Sequence, residues 1–218
     1  MLVIKKEEIA RQLSECIWDF KIGDNISYNL KILFSLYSYK EKDGNNVLNK
    51  PIVIFLVSII EALLVDLLRH LDEGTFDFPF SINIEKAQQI KNKISSQKKS
   101  FTRKDEFLET EYTYRRIKNY NFNEILSLYE EYELLGPKGH LVYKKLEEFS
   151  WLRNRIHITN YHNNFEKDES GVFTNERVFY VENIFVNLLD YISVNYPRKI
   201  MGSTKESLAK DWLKVFQA

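Results

Sequence analysis

The chain carries a single cysteine, Cys16, among 218 residues. One thiol excludes an internal disulfide framework and any multi-cysteine zinc or iron–sulfur site. With no signal-peptide core after Met1-Leu-Val-Ile-Lys-Lys, it points to a reducing, cytoplasmic setting, and Cys16 itself reads as a small core residue. Glycine (7) and proline (4) are also scarce. So few turn-formers argue against a many-stranded β protein and leave long helices as the default. Net charge is missing too: 31 Lys+Arg balance 31 Asp+Glu, so only local charge could attract nucleic acid or membrane. No Gly-rich phosphate loop, G-x-S-x-G or H-E-x-x-H is present, and no His, Cys or acid cluster has metal-ligand spacing, His70 and His140 included.

Apolar residues make up 44% of the chain, enough for a globular core. The most apolar run, Ile52–Leu68, contains Glu61 and Asp66. A carboxylate near a bilayer centre costs about 2.5–3.5 kcal/mol, so the run reads as a buried helix at the centre of a bundle and no membrane partner is expected. Apolar spacing predicts helices over about 5–20, 27–39, 51–71, 84–94, 102–120, 123–135, 140–161, 176–196 and 203–216. Gly23-Asp24-Asn25 separates the first two. Thr102/Asp105 and Ser203/Glu206 have capping-box spacing, and a short hairpin could form near 74–82 or 170–174. No repeat or composition shift divides the chain. The expectation is one all-α domain over 1–218, a helical bundle with long central helices, its core at about 51–195 and terminal helices packed on it.

The segment Leu152-Arg153-Asn154-Arg155-Ile156-His157 carries the chemical information. At ~100° per residue, Leu141, Val142, Leu146, Phe149, Leu152 and Ile156 share an apolar arc. Arg153, Asn154 and His157 border one edge, and Arg153 and His157 are one turn apart. Trp151 and Ile158 lie beyond them. An arginine binds phosphate bidentately, an imidazole moves a proton near neutral pH, and an amide orients a phosphate or ribose hydroxyl. Such a trio could cleave RNA with no metal or other cofactor; an i, i+4 pair making structural hydrogen bonds is the plainer alternative. Glu61 either pairs with Arg153 or His157, or forms a structural salt bridge or an exposed edge. Asp66 reads as surface. Tyr161, one turn past His157, could add a hydroxyl.

The Leu-Arg-Asn-Arg-Ile-His segment, late in a helical bundle, resembles the signature of the HEPN superfamily, the "higher eukaryotes and prokaryotes nucleotide-binding" domains. Its hallmark is an arginine, a polar residue such as Asn, then four to six residues and a histidine. The 122–136 segment and the Ser58–Leu68 helix with its acid resemble the family's neighbouring helices. Arg153 and His157 enclose three residues. Arg155 and His162 enclose six and form the alternative pair, but Arg155 is followed by Ile156, and on the wheel it falls on a solvated side with Lys144 and Glu148. The resemblance implies an HEPN-like bundle acting as a metal-independent endoribonuclease, or as a non-catalytic nucleotide-, RNA- or protein-binding module, with Arg153, Asn154 and His157 as the site. It further implies a homodimer with Trp151 and Ile158 near the contact, a toxin or phage-defence role, and an antitoxin or nucleotidyltransferase partner.

A second candidate surface is electrostatic. From Lys86 to Lys104 there are seven basic residues and no acid, and Arg115, Arg116 and Lys118 follow among tyrosines. Lys91, Lys98, Lys99, Arg103, Arg115 and Arg116 are candidate RNA contacts. Asp105, Glu106, Glu109 and Glu111 interrupt the run, and a lysine-rich helix is often only a solvated one.

Overall fold

The structure is a computed structural model that describes residues 6–16, 20–44, 46–79, 81–96, 98–105, 110–117, 121–155 and 168–196. Helices α1 (Lys6–Cys16), α2 (Phe20–Asp43), α3 (Asn49–Glu73) and α4 (Ile84–Ser96) come first. A hairpin of β1 (Lys98–Asp105) and β2 (Thr110–Ile117) follows, then α5 (Phe122–Glu131), α6 (Leu141–Asn154), α7 (Glu169–Val172) and α8 (Asn175–Asn195). The fold is all-α, with this hairpin set between α4 and α5.

Helix α3 organises the molecule. It packs against α2, α4, α5, α6 and α8, and fourteen of its residues are buried. By length and composition it could cross a membrane, yet most of its apolar stretch is covered by the other helices. Pro51 sits in its first turn, where a missing N–H costs nothing. Gly74 ends it in the left-handed region (φ 72°), a conformation a side chain would strain. Asn49 ties its start to the segment leading into α8 by donating to the Phe173 carbonyl at 2.9 Å.

Several expected boundaries are corrected. Gly23-Asp24-Asn25 does not break a helix, because α2 runs through it. One interior glycine costs only about 1 kcal/mol, and burial of Ile26, Leu30, Leu33 and Tyr37 against α3 and its neighbours outweighs that. The helix expected over 102–120 is the hairpin instead. Its register pairs Lys99 with Arg116, Phe101 with Tyr114 and Arg103 with Tyr112. Phe101, Tyr112, Thr113 and Tyr114 are aromatic or β-branched, residues that suit a pleated ladder better than a helix. No hairpin forms in the described part of 74–82 or at 170–174, where α7 is a single helical turn capped by Asp168. Helix α5 opens one residue earlier than expected, on an Asn121/Glu124 capping box. The expected terminal helix at 203–216 lies outside the described residues.

Candidate functional site

Helix α6 is capped by His140, whose Nδ1 accepts from the Val142 amide at 3.3 Å. Leu146, Phe149 and Leu152 are fully buried and fix its rotation against α3. Leu141, expected in the same arc, is 58% exposed, while Tyr143 of the same turn is buried. That rotation places Arg153 beside α3. Its Nη1 donates to Glu61 Oε1 at 2.8 Å and lies 2.8 Å from Oε2. The two residues are 92 positions apart. The Arg153 side chain keeps 42% of its surface in solvent while Glu61 keeps 17%.

Burial pushes the Glu61 carboxyl above the ordinary glutamate range; the Arg153 charge and its hydrogen bond pull the other way. The result is a half-exposed guanidinium whose direction is set by a carboxylate in the wall behind it. A guanidinium has five N–H donors, so an ion pair through Nη1 is compatible with simultaneous contact to a phosphate. Asn154 is the last residue of α6 and exposed. His157, Tyr161 and His162 lie outside the described residues.

Arg155 corrects the wheel. It is not solvated but 2% exposed. Its Nε donates to Glu169 Oε1 at 3.0 Å, and its guanidinium sits 4.8 Å from the Trp151 ring centre. Glu169 also pairs with Lys50 at 2.6 Å. Burial alone would raise the Glu169 carboxyl, but hydrogen bonds from Lys50 and Arg155 hold it below its ordinary range. Arg155 thus clamps the end of α6 to α7 and α3, and Trp151, 39% exposed, is the lid of that clamp.

Asp66 is likewise not at the surface. It is 1% exposed, takes an Arg69 Nη2–H at 2.8 Å and lies 3.3 Å from His70 Nε2. His70 is itself buried, stacked on Phe76, with Nδ1 2.7 Å from Thr75 Oγ1. The i, i+4 spacing of Asp66 and His70 was the available sequence signal for this cluster. Among the described residues no three His, Cys, Asp or Glu side chains gather into a metal-binding set.

The basic candidates divide. Lys86 is paired to Glu133 at 2.6 Å. Lys91 on α4 lies 6.0 Å from the Phe78 ring centre. Lys98, Lys99 and Arg103 are on β1, and Arg115 and Arg116 on β2, across the ladder from Ser100 and Lys99. No family model, curated protein or solved structure matches the chain.

Proposed function

We propose that the protein is an HEPN-like RNA-directed module, a metal-independent endoribonuclease working through Arg153, Asn154 and His157. One observation carries the reading. The Arg153 guanidinium stands half-exposed at the end of α6, aimed by Glu61 of the central helix at 2.8 Å. In this reading Arg153 binds the scissile phosphate and stabilises the charge that builds on its oxygens. His157 takes the proton from the ribose 2′-hydroxyl or gives one to the departing 5′-oxygen. The 2′-oxygen attacks phosphorus, the P–O5′ bond breaks, and a 2′,3′-cyclic phosphate and a 5′-hydroxyl result. Glu61 is a positioning residue. A homodimer would bring two such sites together, and antitoxin or nucleotidyltransferase partners belong to the same reading.

The test is incubation of the full chain with mixed RNA in EDTA. The wild type cleaves; Arg153→Ala and His157→Ala each lose at least about a hundredfold, the usual contribution of one acid–base or charge-stabilising group. Undiminished cleavage in both variants overturns the assignment. The binding-only reading is favoured by one feature, the short spacing of three residues between Arg153 and His157. It predicts phosphate-ligand binding that Arg153→Ala weakens, with no turnover.

A further inference from the structure

In an antiparallel ladder, directly paired residues share a face and successive residues alternate between faces. The observed register therefore sorts the hairpin's residues. Lys99, Phe101 and Arg103 of β1 share one face with Tyr112, Tyr114 and Arg116 of β2. Lys98, Lys104 and Arg115 fall on the other, with Glu111. The first face carries three cations and three aromatics on three successive rungs of that face, and its one acid, Asp105, is on the end rung opposite Thr110.

Folding the segment back on itself also removes an apparent obstacle. In the linear sequence the acids 105–111 separate the lysine-rich run from the Tyr/Arg run. In the hairpin Asp105 pairs with Thr110 and Glu111 with Lys104, at one end of the ladder, and the two basic runs lie side by side. Lys99 is directly opposite Arg116, although like charges on one rung destabilise a ladder. An anion lying across that rung would relieve the repulsion. Among the described residues, the extensive packing of each strand is with the other strand.

We propose that this hairpin face binds single-stranded RNA, the cations following the phosphates and the aromatics stacking on bases. Stacking selects a single strand, because in a duplex the base faces are already covered. The inference concerns a different surface from Arg153 and stands without that site's chemistry.

Fluorescence anisotropy of the full chain with an oligouridylate of about 16 nucleotides and with an RNA duplex, between about 50 and 200 mM salt, tests it. Combined Lys99→Ala, Arg103→Ala and Arg116→Ala should weaken oligouridylate binding and shrink the salt slope by about 2, at ~0.7 per phosphate contact. The charge-matched set Lys98→Ala, Lys104→Ala and Arg115→Ala should leave affinity little changed. Tyr114→Ala should weaken it about tenfold, while Tyr114→Phe keeps it. Equal loss in both triple variants, duplex bound as tightly as the single strand, or no salt-dependent binding overturns the proposal. Loss of binding in Arg153→Ala alone moves the contact to the α6 site and also overturns it.

Discussion

At the scale of single residues, ion pairs hold the helix ends in place, and their value depends on how far each is withdrawn from water. The Arg153–Glu61 pair is partly exposed on the arginine side, so its net contribution is near the upper range for surface pairs, about 1 kcal/mol. Arg153→Ala should therefore lower stability by about 1 kcal/mol and leave the fold intact. Glu61→Gln should cost less, since the amide keeps an oxygen that accepts from Arg153 and avoids burying a charge. Combining the two should be less than additive in urea unfolding, because both remove the same contact. Additive losses would mean that the pair is not a stabilising unit. A buried acid in an apolar helix needs a partner, which made Arg153 readable as one option for Glu61. Arg155 was not readable. The wheel assumes that the helix continues, whereas α6 stops at Asn154 and Arg155 is its C-cap. Its side chain then belongs to α7 through Glu169, a residue no local pattern connects to it.

At the scale of elements, the helices were legible wherever apolar spacing was long and regular, and their ends only where a cap was recognised. The Asn121 side chain accepts from the Glu124 amide at 2.9 Å, and Glu124 Oε2 accepts from the Asn121 amide at 3.0 Å. Asn121→Ala removes half of that reciprocal cap and should cost about 1 kcal/mol. The loss should appear as a lower thermal midpoint with unchanged helix content at room temperature. An unshifted midpoint would show that α5 is held by burial of Phe122, Ile125 and Tyr129 alone. The same motif at Thr102/Asp105 misled, because a capping box signals a helix only when a helical apolar stripe comes after it. The residues after Asp105 instead include Tyr112-Thr-Tyr114, a period of two. That period was visible, and the surrounding charges obscured it. Register, which decides which cations keep company with which aromatics, depends on the turn and had no reading in the sequence.

At the scale of the whole molecule, the contacts that matter join segments far apart in the chain, and one of them makes stability depend on pH. Glu182 on α8 is 3% exposed and accepts a short hydrogen bond from the Tyr37 hydroxyl on α2, 145 residues away. Burial raises the Glu182 carboxyl above its ordinary range; the Tyr37 hydrogen bond and the Lys40 charge only partly oppose it. Burial also pushes the Tyr37 hydroxyl far up, so it remains the donor across the accessible pH range. The folded carboxyl thus holds its proton to higher pH than the unfolded one, and between those two values the native state carries the extra proton. Stability from this group is complete below the ordinary glutamate range and is lost as pH rises through the raised folded value. Glu182→Gln keeps an acceptor for Tyr37 but removes the titration. Urea midpoints measured from the acidic to the neutral side should fall less steeply for the variant than for the wild type, and the two should diverge most near neutrality. Parallel curves would mean that the carboxyl is ionised in the fold without penalty. In that case α2 and α8 would have to admit water at Glu182 from the cleft that it lines with Tyr37, Lys40, Val178 and Phe179.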